Sequence, residues 1–344
     1  MTDSKQRRLV LLGMFAIFTV QSVALQASAR QDAKPAKLLI AFASTRERWD
    51  PPYPKIHFYE HDGVANGKLL EAIDTISKGT NNSRADMHPA LSRDGRYCAF
   101  ASQFGIANGG QTEIWDRKEK KLLELKALHG LLKTHQMGAT QSADGQLVAF
   151  TAWAWPGASI RWNVLLYDTT AKKVLDLPKL NGEAFDQRMP ALSADGRFLA
   201  YASNAKPGVG LTDIYLYDLK EKTVMALPEM NSKSADLQPA LSGDGRLIAF
   251  ASDRPGGVGS RDIYLYDRAA KKFLPLPGAN SLAAEQSPSL SADGRYLAFV
   301  SERLNGAGER DIYLYDRQTQ KLLPTPGLNS KQDDFDPCVI VMEK

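Results

Sequence analysis

Residues 239–281 read PALSGDGRLIAFASDRPGGVGSRDIYLYDRAAKKFLPLPGANS, and the same stretch recurs along the chain. It returns nearly verbatim from Pro190 (PALSADGRFLAYAS, then DIYLYD) and from Pro288 (PSLSADGRYLAFVS, then DIYLYD). Weaker copies begin at Pro89 (PALSRDGRYCAFAS, then EIWD) and at Ala139 (ATQSADGQLVAFTA, then VLLYD). The Asp-Gly pairs starting at Asp94, Asp144, Asp195, Asp244 and Asp293 set the register at 49 to 51 residues per repeat. A period of about 40 to 50 residues carrying four short strands predicts one β-propeller blade per repeat.

Within a repeat, PALS is a short first strand, and Ser-x-Asp-Gly is a tight hairpin whose glycine takes a left-handed backbone at no steric cost. RLIAFAS and DIYLYD are the second and third strands. Both are apolar at almost every position, as expected of strands covered on two faces by neighbouring blades. A polar turn follows, and then FLPLP, whose Pro275 and Pro277 confine the fourth strand to the outer edge because proline donates no ladder bond.

The ends of the chain complete the count. From Leu38, LLIAFAS and KIHFYE match a second and a third strand with no first strand before them. Asp336-Pro337-Cys338-Val339-Ile340 matches a first strand with no second strand after it. Five whole repeats and two fragments predict an all-β, six-bladed propeller of four-stranded antiparallel blades over residues 38–344, closed by the C-terminal strand joining the N-terminal blade. Ahead of it, Lys5, Arg7 and Arg8 precede an apolar run from Leu9 to Leu25 and the small residues Ala27-Ser28-Ala29. This pattern predicts a secretory signal peptide over residues 1–29, cut before Arg30, and a short linker over 30–37. Export, to the periplasm in a Gram-negative cell, is the expected localisation, with no stable membrane insertion after cleavage. The formal charge of +4 falls to about +2 without the leader, too little to suggest a nucleic-acid partner. Cys98 and Cys338, the only cysteines, fall in adjacent blades; a bridge is open to them, but both positions read as small core residues.

These repeats resemble the TolB-like propeller family, also described as WD40-like or PD40 repeats, whose unit runs P-x-x-S-x-D-G-x-x-[IL]-A-F-x-S followed by D-I-[YW]-x-x-D. The resemblance runs from Leu38 to Ile340. It implies a periplasmic adaptor, since TolB itself engages a peptidoglycan-associated lipoprotein. The α/β domain that precedes the propeller in TolB is expected to be absent here.

Chemistry is sparser than architecture. His57-Phe58-Tyr59-Glu60-His61 matches the zinc-protease pattern H-x-x-E-H, but that pattern works on a helix. On a strand, residues four apart are separated by about 13 Å, too far for one metal. No G-x-S-x-G elbow occurs, so no catalytic residues, metal or cofactor are expected. Two surfaces remain, both on the face that carries the loops between second and third strands. One is a ring of ionisable residues at the channel mouth, read as Asp86, His135, Asp186, Asp236, Glu285 and Asp334. Such residues serve as strand caps or bonds to a neighbouring loop, or as a lure for cations and basic segments. The other is a set of loop aromatics, Trp49, Tyr53, Phe104, Trp153, Trp155 and Trp162, suited to anchoring a partner. The expected function is a monomeric, non-catalytic binding platform for a protein or cell-envelope component. The competing class is a propeller-type carbohydrate-active enzyme, lyase or hydrolase, using the acidic ring with or without a bound metal.

Overall fold

Every Asp-Gly pair closes a hairpin whose glycine is left-handed, with φ of 65–69° at Gly95, Gly145, Gly196, Gly245 and Gly294. The serine two residues before the aspartate fixes the turn. Ser92 Oγ donates to Asp94 Oδ1 at 2.6 Å, and that carboxylate accepts the Arg96 N–H at 2.9 Å. The same two bonds form at Ser142, Ser193, Ser242 and Ser291. The arginine after the glycine then reaches the last aspartate of the third strand, as in Arg246–Asp267 at 2.7 Å and Arg295–Asp316 at 2.8 Å. The repeat is thus a set of local bonds that hold its own first three strands in register.

The computed structural model describes residues 36–46, 53–73, 84–104, 110–125, 128–129, 135–153, 161–180 and 185–342. Residues 37–344 form one unit; the other, Met1–Ala36, lies outside the described residues except for Ala36. The chain enters with β1 (Leu38–Ser44), β2 (Lys55–His61) and β3 (Gly67–Leu69). Blade 1 follows as β4 (Arg84–Leu91), β5 (Tyr97–Phe104), β6 (Gly110–Asp116) and β7 (Lys121–Leu122). Blade 2 is β8 (Gln136–Gln141), β9 (Leu147–Trp153), β10 (Trp162–Asp168) and β11 (Lys173–Leu175). Blade 3 is β12 (Gln187–Leu192), β13 (Phe198–Ser203), β14 (Asp213–Asp218) and β15 (Thr223–Met225). Blade 4 is β16 (Asp236–Leu241), β17 (Leu247–Ser252), β18 (Asp262–Asp267) and β19 (Lys272–Leu274). Blade 5 is β20 (Glu285–Leu290), β21 (Tyr296–Ser301), β22 (Asp311–Asp316) and β23 (Lys321–Leu323). Finally β24 (Asp334–Val341) pairs antiparallel with β1, through Leu39 with Ile340, Ala41 with Cys338 and Ser44 with Asp334, to complete blade 6. The six-bladed, all-β architecture and its closure therefore stand as the repeats predict. The fourth strands are shorter than FLPLP suggests: β19 ends at Leu274, where the first proline ends the ladder.

The core lies between the blades. The second strands are buried along their middles, and Phe42, Phe100, Phe150, Phe250 and Phe299 are wholly inaccessible. Polar stitches join neighbours: the hydroxyls of Tyr59, Tyr217, Tyr266 and Tyr315 donate to the carbonyls of Pro326, Pro178, Pro228 and Pro277 in the preceding blade. These bonds explain why DIYLYD and LPLP travel together in the repeat. Burial pushes the Tyr59 hydroxyl up to about 12. Among the described residues no helix is long and apolar enough to cross a membrane.

Cys98 and Cys338 are both free. Cys338 Sγ accepts the Leu91 N–H at 3.3 Å, the place taken by Ser289 Oγ toward Val339 N and by Thr140 Oγ1 toward Leu192 N in other blades. Its sulfur is a stitch between first strands. Burial pushes both thiols up, Cys338 to about 11 and Cys98 further, so neither holds an appreciable thiolate at neutral pH. Iodoacetamide should accordingly leave both cysteines unmodified in the folded protein and alkylate both in denaturant; rapid labelling of Cys98 in the native state would contradict this packing.

Candidate functional site

Three residues before the proline of each first strand, or before Ala139 in blade 2, sits a polar side chain: Asp86, Gln136, Gln187, Asp236, Glu285 and Asp334, none more than 2% exposed. Each pairs across to the second strand of its blade, at Ser102, Ala152, Ser203, Ser252, Ser301 and Ser44 respectively. This corrects the predicted ring in blades 2 and 3, where the equivalent residues are Gln136 and Gln187. His135 and Asp186 stand one residue earlier, and a shift of one residue along a strand reverses the side chain. His135 is exposed, its ring 6.3 Å from that of Trp153. Asp186 is half-buried, accepts the Trp162 N–H at 3.1 Å and pairs with Arg188 at 3.0 Å.

The four acidic members do not present free charge to solvent. A carboxylate can be buried only with a cation and hydrogen bonds around it. Asp86 pairs with Arg84 at 2.8 Å, Asp236 with Arg254 at 2.9 Å, Glu285 with Arg303 at 3.3 Å and Asp334 with Arg46 at 2.7 Å. Backbone N–H groups of Ser232, Ser281 and Ser330 also donate to the last three. Arg46, Arg254 and Arg303 each stand two residues beyond the serine opposite the carboxylate. Blades 2 and 3 have Ala154 and Ala205 at that place, and there the ring residue is glutamine. Charge and counter-charge are present together or absent together. Blade 1 buries one further carboxyl, Glu113, which burial pushes above the usual carboxylate range while His129 and Arg84 pull it back.

The channel mouth is built by a feature the repeat does not announce. In every first strand two residues oppose one on the second strand, a β-bulge. Its first residue is left-handed: His88, Gly138, Met189, Gln238, Ser287 and Asp336, with φ between 49° and 62°. Five precede proline, which has no N–H to leave unpaired at the bulge. The bulge residues line a cavity of about 250 Å³ together with Met137, Thr151, Trp162 and Arg188. Four of the bulge residues form a bonded arc. Gln238 Nε2 donates to Ser287 Oγ at 3.1 Å, Ser287 Oγ donates to Asp336 Oδ1 at 3.2 Å, and His88 Nε2 lies 3.4 Å from Asp336 Oδ2. Below the rim, the prolines lead into a cavity of about 340 Å³ walled largely by alanine, leucine and valine, with Arg93 and Asp293 also in its lining.

Of the predicted aromatics, Trp49, Trp155 and the side chain of Phe104 lie outside the described residues. Tyr53 is half-buried at the entry to β2. Trp153 and Trp162 are directly opposed across β9 and β10, with ring centroids 5.2 Å apart, and the Arg188 guanidinium lies 5.2 Å from the Trp162 ring. Trp153 is 42% exposed. Further apolar side chains, hidden in the sequence among glycines, share that face: Val209, Leu211, Val258 and Leu304 in loops between second and third strands, and Leu282 between blades. With Trp153 and Met189, these are seven of the ten large apolar side chains that stand exposed among the described residues.

The opposite face has a larger cavity, about 870 Å³, between the Asp-Gly hairpins. Six of the eight charged side chains in its lining are committed: Arg246 to Asp267, Arg317 to the Gly294 carbonyl, and Asp195, Asp244 and Asp293 to their own turns. In the H-x-x-E-H segment, His57 and His61 are buried on β2. His61 Nε2 donates to Pro324 O at 2.8 Å, and its Nδ1 accepts the Gly63 N–H at 2.9 Å. Among the described residues no three His, Cys, Asp or Glu side chains are grouped to hold a metal ion.

No protein-family model and no curated protein matches the chain. Solved structures do. TolB from Acinetobacter baumannii superposes with a TM-score of 0.59 at 18% identity, over 88% of this chain and 66% of its own. A putative TolB from Agrobacterium tumefaciens gives 0.54 at 16% identity, over 90% and 99%. Hydrazine synthase from Kuenenia stuttgartiensis gives 0.59 at 14% identity, over 91% of this chain and 47% of its own. At such identities the likeness is one of fold alone, and the fold shared is that of the TolB-like six-bladed propeller.

Proposed function

We propose that the protein is an exported, non-catalytic binding platform whose loop face around the channel mouth receives a protein partner of the cell envelope. The observation that carries this reading is the one-sided distribution of exposed apolar side chains. Seven of ten lie on one face, and that face also carries the cavity lined by Met189 and by Trp162, the partner of Trp153. Scattered apolar residues are normal on a surface, but a set on one face beside a concave site is how interaction surfaces are built. A propeller scaffold suits this use, because each blade contributes one loop to the face and the blades hold the loops at fixed spacing. The two TolB structures share this propeller scaffold.

The test is capture from envelope extract with three forms of the protein. An aromatic anchor commonly contributes about 2 kcal/mol or more to an interface, so Trp153→Ala should weaken the captured partner at least about tenfold. Its melting temperature should fall by no more than a few degrees, since Trp153 ends its strand with 42% of its surface exposed. Lys220→Ala, in an exposed turn of the opposite face, should bind as the parent does. Equal binding by all three forms would place the partner elsewhere.

A further inference from the structure

We infer that the channel mouth is a receptor for a primary ammonium on an apolar stem, specifically a lysine side chain presented by the partner that seats on Trp153 and Trp162; this rests on the reading of that face given above. The bulge in blade 2 is made with Gly138, so its geometry needs no side chain. The other five blades place one there although a left-handed backbone costs a residue other than glycine about 1 kcal/mol or more. Four of those five are polar and form the arc of Gln238, Ser287, Asp336 and His88. Within the arc, Gln238 and Ser287 satisfy one another through two hydrogen bonds. Asp336 Oδ1 takes the serine, but Oδ2 has only His88 Nε2 at 3.4 Å, beyond the ordinary N–H···O range. It is an acceptor open to a better donor.

The charge of the cavity points the same way. Asp336 is the only carboxylate in its lining, and Arg188, the only guanidinium, is held by Asp186. An ammonium brings three donors and no acceptor, matching an open carboxylate oxygen. Around a ring of six, Met189 stands across from Asp336, and Gly138 leaves the rim without a side chain: a Cβ there would meet nothing within 4 Å. That gap lies in the blade that carries Trp153 and Trp162, so a segment seated on the indoles meets no bulge side chain of that blade at the mouth. Met137 and Met189, in the lining of the same cavity, suit the four-carbon stem of lysine.

The probe is n-butylammonium, with n-butanol and butyrate as controls of equal length, followed by ligand-observed NMR. Butylammonium should show saturable binding with a dissociation constant on the order of 1 mM, while the controls show none. Asp336→Asn should weaken it at least about tenfold. Asparagine tolerates the left-handed backbone, so an unchanged melting temperature separates lost recognition from lost folding. Equal signals from butanol, or full binding by the Asn variant, would overturn the proposal. A second arm acetylates the lysines of the captured partner. Loss of capture supports a lysine donor, whereas undiminished capture overturns it even if butylammonium binds. Failure here, with capture still dependent on Trp153, would leave the proposed binding face intact.

Discussion

A chain ending at Asp333 is expected to lose its cooperative fold, or to melt at least about 10 °C below the full-length protein and to bind a hydrophobic dye. The truncation removes β24 and with it the pairing of β1 from Leu38 to Ser44. Phe335 and Val339 leave the core, and the wholly buried strand LLIAFAS gains an open edge. Each such side chain contributes about 1.5–3 kcal/mol by burial, so the loss is comparable with the roughly 5–15 kcal/mol that holds a domain folded. The cut also strips Asp334 from Arg46, leaving a nearly buried guanidinium without its carboxylate. Because the missing strand is a separable piece of sheet, a synthetic peptide spanning 334–344 should restore part of the melting temperature by adding back along β1. A truncated protein that melts with the parent would mean that blade 6 does not depend on this closure.

Closure was legible in the sequence because the repeat is cut out of phase: a fragment lacking a first strand at one end and a fragment consisting of one at the other have a single joint solution. The turn chemistry was equally open, since Ser-x-Asp-Gly names its own hydrogen bonds. The candidate site was less so. Its predicted ring took the ionisable residue eight or nine places before each Asp-Gly aspartate, and so slipped by one residue at His135 and Asp186. A fixed count of eight places Gln136 and Gln187 in register with Asp86, Asp236 and Glu285, but an uncharged glutamine does not stand out in a ring read by charge. The bulge residues had no sequence sign at all. A left-handed backbone is announced by glycine, and only Gly138 supplies one. His88, Ser287 and Asp336 are brought together only when three blades meet at the axis, so no spacing within one repeat could reveal their contact. Val209 and Val258 were masked differently, as apolar residues inside loops that composition marks as glycine-rich connections.

Arg254→Ala is expected to destabilise the protein by about 3–5 kcal/mol, the usual result of removing one partner from a buried ion pair. Asp236 is inaccessible to solvent, and Arg254 is its only guanidinium partner, at 2.9 Å. The same guanidinium bonds the Met230 carbonyl and lies over Tyr264 and Phe273, 4.5 and 4.9 Å from their ring centroids. Its loss therefore removes both the counter-charge and a packed plate between aromatic rings. These two contributions can be separated because the chain contains both solutions to the same position. Blade 3 manages with Gln187 and Ala205 where blade 4 has Asp236 and Arg254. The double variant Asp236→Gln, Arg254→Ala copies that arrangement, keeps Ser252 in the place of Ser203, and leaves no charge to bury. It should recover most of the stability lost by the single variant, as measured by denaturant midpoints on all three proteins. If the double variant is as unstable as the single one, the aromatic packing of Arg254 carries the effect. In that case the joint presence of Arg and carboxylate in blades 4, 5 and 6 has another cause than electrostatic compensation.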